Sequence, residues 1–267
     1  MKNRSRVYVR LIVTAITLVL SATATAEVVD NWGNMQKDYF PGKNLEPGSF
    51  IRLTAPQRAE SGAQVPFAFS IDYPMTTEKY IKSVFVFVDA NPVPLTAVFH
   101  FNPLNGKAEI STRIRLETDS FVHVVAQSSD GKSYMNAIPI RASGGCGGTI
   151  GGDESAARAS AGKMKMVVDK PVKMGSFNHV RLLIKHPMYT GLQRDLELQG
   201  YRPAFFINQI KAKYNGMLVM NADTFIGISE DPNIQFGFVP DKPGTFEVII
   251  KDNEGGTFTK SIEVKEE

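Results

Sequence analysis

One residue dominates the reactive inventory of this chain. Cys146 is the single cysteine in 267 residues, and it is preceded by Gly144 and Gly145 and followed by Gly147 and Gly148. Without a second thiol it cannot close an internal disulfide. Glycine on both sides leaves the backbone as unrestricted as a polypeptide allows. The pattern predicts a thiol that is held out for another molecule, either as a covalent attachment point or in a disulfide between chains. A catalytic cysteine needs a base or cation beside it to raise its thiolate fraction, which is only a few per cent, roughly, at neutral pH. Its sequence neighbours are glycines, and the nearest charges downstream, Asp153 and Glu154, would disfavour the thiolate. The expectation is carriage, with no catalytic residue and no enzyme activity of its own.

Other reactive side chains have plainer readings. His123 shares a strand face with Phe121 and Val125 and reads as a satisfied core histidine, while His100 points away from Phe99 and Phe101. His179 and His186 flank a strand without a third ligand at recognisable spacing, so no metal site and no cofactor is expected. Met164, Met166, Met174 and Met188 with those two histidines form the alternative, a soft Cu(I) site. A core-facing pair explains Met164 and Met166 more simply, since both lie on one face of an extended strand. Lys79, Lys82, Arg113 and Arg115 read as solvated charges.

The elements that must position Cys146 follow from patterning. Lys2, Arg4, Arg6 and Arg10, the apolar run Leu11 to Leu20 and Ala24-Thr25-Ala26 form an export leader over 1–26. The apolar run is too short for a membrane span, so a periplasmic protein without a membrane anchor is expected. The leader takes four of the 30 Lys and Arg with it and leaves 26 against 27 Asp and Glu, which gives no reason to expect a nucleic-acid partner. Trp32, Met35, Tyr39 and Phe40 predict a short helix ended by Pro41-Gly42. From Ile51 onward the grammar is that of strands. Glu109 to Leu116 alternates, with Ile110, Thr112, Ile114 and Leu116 on one face, and Val84 to Val88 reads as buried on both faces. Asn105-Gly106, Asp130-Gly131 and Asn215-Gly216 supply hairpin turns. Residues 143–162 hold seven glycines and scarcely any apolar side chain, which predicts a flexible arm. The fold class is therefore all-β: antiparallel sandwiches over 27–142 and 163–267, joined by the arm. Four residues past Ala142, Cys146 can reach at most about 14 Å from the first sandwich.

The first half resembles SoxY, the carrier subunit of periplasmic thiosulfate oxidation, through Ile51 to Pro56, Glu60-Ser61-Gly62, Asn91 to Pro94, Thr112 to Arg115 and Ser143 to Gly148. The second half is similar to SoxZ through His186 to Gly191, Arg202-Pro203-Ala204, Tyr214-Asn215-Gly216, Gly227-Ile228-Ser229 and Asp252 to Gly255. Together they resemble the fused SoxYZ-like carriers associated with quinoprotein dehydrogenases, which implies that both sandwiches are immunoglobulin-like. The resemblance implies that Cys146 covalently holds a sulfur-containing intermediate and shows it to periplasmic sulfur-oxidation enzymes, with a quinoprotein dehydrogenase or a cytochrome c as further partners. A homodimer and a non-covalent adaptor role are the remaining alternatives. In SoxY the cysteine motif ends the polypeptide, whereas here about 120 residues follow it, so an internal arm enters any partner as a doubled loop.

Overall fold

A computed structural model describes residues 28–266 apart from 151, 196 and 198. The expected export leader lies outside the described residues. In chain order the first half runs α1 (Trp32–Tyr39), β1 (Glu46–Pro47), β2 (Ile51–Thr54), β3 (Val65–Ile71), β4 (Ile81–Val88), β5 (Leu95–His100), β6 (Ala108–Ile114), β7 (Ser120–Ser128) and β8 (Ser133–Ile140). The connecting segment contributes β9 (Thr149–Ile150) and α2 (Glu154–Ser160). The second half runs β10 (Met164–Val168), β11 (Asn178–Ile184), β12 (Arg194–Asp195), β13 (Gly200–Tyr201), β14 (Ile207–Tyr214), β15 (Met217–Thr224), β16 (Asn233–Phe238), β17 (Gly244–Asp252) and β18 (Thr257–Val264).

The all-β expectation holds, and the two halves are fused more closely than two beads on an arm. One sheet has nine strands in the order β1-β8-β7-β4-β5-β15-β14-β17-β18, and the facing sheet has six in the order β10-β11-β16-β6-β3-β2. Both cross the boundary between halves. At one seam Ala97 to His100 pairs antiparallel with Thr224 to Asn221, and at the other Ile110 and Ser111 pair with Phe236 and Gln235. Each junction satisfies backbone groups that would otherwise line an open sheet edge. The apolar faces merge as well. Phe69 and Phe99 from the first half and Phe236 and Phe246 from the second belong to one buried cluster. Burial of each such ring stabilises the fold by about 2–3 kcal/mol.

Local patterning explains most elements. In β4, Val84, Val86 and Val88 face the shared core, while Phe87 packs on the other side with Trp32, Met35, Phe40 and Val125. That is the two-faced burial expected of Val84 to Val88, with α1 as the cover. His123 lies under this cover, stacked on Trp32 at 4.5 Å, with its Nδ1 2.9 Å from Asp89 Oδ1. His100 keeps to the opposite side from buried Phe99 and Phe101 and meets Asp223 Oδ2 at 2.9 Å. Asn215-Gly216 closes the β14–β15 hairpin with φ of 48° and 80°, as a type I′ turn requires.

Two local expectations fail for identifiable reasons. Asn105-Gly106 does not close a hairpin, because β5 and β6 belong to different sheets. Asn102 and Asn105 instead cap a short 3-10 turn over Pro103–Asn105, and Gly106 ends it at φ 67°. The alternation predicted through Leu116 breaks at Arg115. Here the strand has ended, Arg115 N–H donates to Gly227 O at 2.7 Å, and Arg115 and Leu116 are both buried.

Candidate functional site

The expectation of an exposed, mobile thiol is not met. Cys146 is 1% exposed, and the segment around it is packed into the seam between the halves. Backbone bonds bring it there. Gly62 N–H donates to Ser143 O at 3.1 Å, Leu116 N–H to Gly62 O at 2.8 Å, and Gly144 N–H to Glu117 O at 2.8 Å. Three of the four glycines fall into two roles, and Gly147 into neither, since a Cβ there would meet nothing closer than 3.5 Å. A Cβ on Gly145 would stand 2.2 Å from Gly62 O and 2.4 Å from Leu116 O, so this position is glycine because two backbones touch there. Gly144 and Gly148 have no such neighbours but adopt φ of 71° and 99°, a region that disfavours other residues. Gly62 faces the same crowding, with Leu116 O 2.3 Å from its would-be Cβ.

The charges beside the thiol come from far away in sequence. Glu117 Oε2 accepts the N–H of Cys146 at 2.7 Å and that of Gly147 at 3.0 Å. Arg115, 3% exposed, donates through Nη1 to Gly145 O at 3.0 Å, through Nη2 to Met188 O at 3.3 Å and through Nε to Ile228 O at 3.4 Å. Among the described residues no carboxylate lies within ion-pair distance of this guanidinium. Asn91 braces both residues, since its Nδ2 donates to Arg115 O at 2.8 Å and its Oδ1 accepts from Glu117 N–H at 2.9 Å. Asp153 and Glu154, the expected neighbours, are engaged elsewhere: Asp153 caps α2 and Glu154 pairs with Arg158. Arg115 is thus not the solvated charge that alternation suggested, because the chain turns inward after β6 and needs a long donor to reach three carbonyls.

The second half closes the cradle. Thr190 Oγ1 donates to Cys146 O at 2.7 Å, and Arg194 N–H donates to Gly148 O at 2.8 Å where β9 lies parallel to β12. The segment from His186 to Gly191 is therefore a wall of the site. Arg202 holds this wall from behind, donating to Tyr189 Oη at 2.9 Å and to Asp195 Oδ2 at 2.8 Å. Its place among the second half's motifs was the available signal. Replacing Thr190 by valine removes its bond to Cys146 O, worth about 1 kcal/mol, together with the bond that its Oγ1 accepts from Leu192 N–H at 3.1 Å within the wall. The expected outcome is a roughly fivefold faster reaction of Cys146 with iodoacetamide at unchanged fold, by the usual conversion of free energy to equilibrium.

Electrostatically the docked thiol is silenced. Burial pushes its pKa up to about 12, the Glu117 charge adds to this, and Arg115 opposes both. Burial in turn lowers the pKa of Arg115, against the pull of Cys146 and Glu230. A neutral, covered thiol is neither a nucleophile nor a metal ligand, and chemistry at this sulfur requires the arm to leave. Three ligand atoms of the copper alternative are engaged in hydrogen bonds: His179 Nε2 meets Glu109 Oε1 at 2.7 Å, His186 Nδ1 accepts Met188 N–H at 3.1 Å, and Met188 sulfur accepts Ile207 N–H at 3.3 Å. Asp30, Asp89 and His123 bring three potential ligand atoms within 4.8 Å of one another, but Asp89 and His123 already bond to each other.

The comparisons agree with the motif pattern. The sulfur oxidation protein SoxY family matches residues 36–146, and the sulphur oxidation protein SoxZ family matches residues 164–263. Among solved structures, the sulfur carrier protein SoxY from Chlorobium limicola f thiosulfatophilum is 28% identical over 40% of this chain and 88% of its own, with a TM-score of 0.35. A superoxide reductase (neelaredoxin) from Ignicoccus hospitalis is 10% identical over 34% of this chain and 79% of its own, with a TM-score of 0.31. No curated protein matches. With a SoxY domain that ends on Cys146 and a SoxZ domain that follows it in the same polypeptide, the chain is a fused member of the SoxYZ family.

Proposed function

We propose that this protein is a periplasmic thiol carrier of sulfur oxidation, which holds a sulfur-containing intermediate on Cys146 and presents it to partner enzymes. One observation carries the reading: the only thiol of the chain is the last residue of the SoxY match, and it sits on a glycine-jointed segment gripped by polar contacts from both halves. Those contacts are hydrogen bonds that water can replace, so the segment can open without unfolding the sheets. Joining the thiol to the terminal sulfur of an anion such as thiosulfate forms one S–S bond and releases one proton and two electrons. The electrons go to a redox partner of the cytochrome c class. The fused architecture makes delivery by a doubled loop, anchored at Ala142 upstream and at β9 downstream, so a partner cleft has to admit two backbones.

The test is the intact mass of protein isolated from its host while the pathway runs, with and without reductant. An adduct on Cys146 that reductant removes supports the carrier, and Cys146→Ser should abolish both the adduct and pathway flux. The burial of Cys146 favours a second reading, a non-covalent adaptor for a quinoprotein dehydrogenase in which the arm stays docked. An unmodified thiol and unimpaired flux in Cys146→Ser would establish that reading instead.

A further inference from the structure

We infer that Glu117 is a charge-selective latch, which keeps the arm docked while Cys146 is uncharged and expels it when Cys146 carries an anionic adduct. The inference rests on the carrier reading and adds to it the residue that distinguishes loaded from unloaded protein. A single carboxylate oxygen accepts two consecutive arm N–H groups, from Cys146 at 2.7 Å and Gly147 at 3.0 Å. Hydrogen bonds to a charged acceptor are stronger than neutral ones, so this pair contributes much of the docking. The same half-buried charge lies beside the sulfur at the rim of a seam in which Cys146 itself is 1% exposed. Charges placed together in such a medium interact far more strongly than in water.

An uncharged thiol tolerates Glu117, whereas a sulfur ending in an oxyanion meets a half-buried like charge and loses much of its own hydration. Arg115 is the countervailing cation, but its guanidinium is turned onto the carbonyls of Gly145, Met188 and Ile228. Glu117, by contrast, is fastened directly to the moving segment. Loading with an anion therefore converts the strongest tether of the arm into a repulsion. Removal of the anion by a partner restores docking, so only arms that carry cargo are held out for the next enzyme.

The test uses the purified full chain and two adducts of nearly equal shape. Cys146 is alkylated in urea with iodoacetamide, which leaves a neutral carboxamidomethyl group, or with iodoacetate, which leaves an anionic carboxymethyl group, and the protein is refolded. Hydrogen exchange of the Cys146 and Gly147 amides then reports docking. The anionic adduct should exchange at least about tenfold faster than the neutral one. In Glu117→Gln, which keeps an oxygen acceptor without the charge, that difference should vanish. Should this variant not fold, Glu117→Asp, whose charge is drawn back by one methylene, should narrow the difference. Equal exchange of the two wild-type adducts overturns the latch, as does a full difference that survives removal of the Glu117 charge. Because the adducts are synthetic, either result is independent of whether native protein carries cargo, which the intact-mass experiment decides.

Discussion

Replacing Gly145 by alanine should free the arm and raise the reactivity of Cys146 toward iodoacetamide at neutral pH by about a hundredfold or more. The new methyl group would sit 2.2 Å from Gly62 O and 2.4 Å from Leu116 O, both backbone atoms. Neither can give way cheaply, because Leu116 N–H donates to Gly62 O and Gly62 N–H to Ser143 O. The arm is the looser partner and moves. Once released, the thiol leaves a site that pushes its pKa up to about 12, and each unit regained multiplies the thiolate fraction about tenfold. Gly144→Ala is the control: nothing lies within 4 Å of its Cβ, and its cost is the φ of 71°, about 1–2 kcal/mol. Identical alkylation rates for wild type and Gly145→Ala would refute the docked arm. The same linkage gives a pH dependence. A raised pKa in the docked state means that docking is at full strength below the ordinary thiol range and is lost as pH rises toward about 12.

Folding stability should fall by about 3 kcal/mol between pH 6.5 and pH 4 because of His186 alone. Its ring is 1% exposed and lies 4.3 Å from Phe205. Met188 N–H can only donate, so Nδ1 accepts it and Nε2 carries the proton, and that Nε2–H is buried without a partner among the described residues. Burial pushes the pKa of His186 down to about 4, with Asp252 pulling weakly the other way. A depressed pKa in the folded chain makes the stabilisation complete above the ordinary histidine range and progressively lost as pH falls toward 4. His186→Asn keeps an acceptor near the Nδ1 position and does not titrate. Denaturant unfolding from pH 7.5 to 4.5 should show a lower but flatter stability profile for the variant. Parallel profiles would refute this account. Met188 and Thr190 stand on the same segment, so protonation of His186 should also loosen the wall that grips Cys146.

Much of the fold was readable because strand signals are local. Alternation in β6, the two-faced run in β4, Asn215-Gly216 and the amphipathic spacing of Trp32 and Met35 each depend on a few consecutive residues, and each appears in the structure. Asn105-Gly106 misled because a turn dipeptide specifies a backbone conformation and not which sheet the next strand joins. The arm misled for a related reason. Glycine-rich composition signals conformational freedom, yet the absence of side chains is also what lets Gly145 and Gly62 touch backbone to backbone.

By itself the sequence determined that this is an all-β chain of a SoxY half followed by a SoxZ half, with one thiol at their junction. The all-β class follows from periodicity and composition, and the two halves from the motifs that resemble those of the SoxY and SoxZ families. Only the tertiary structure decided that the halves share two sheets, that Cys146 is covered, and that Glu117, Arg115 and Thr190 hold it. Those partners stand 29, 31 and 44 positions from Cys146, and sheet pairing and burial, which act through space, bring them together.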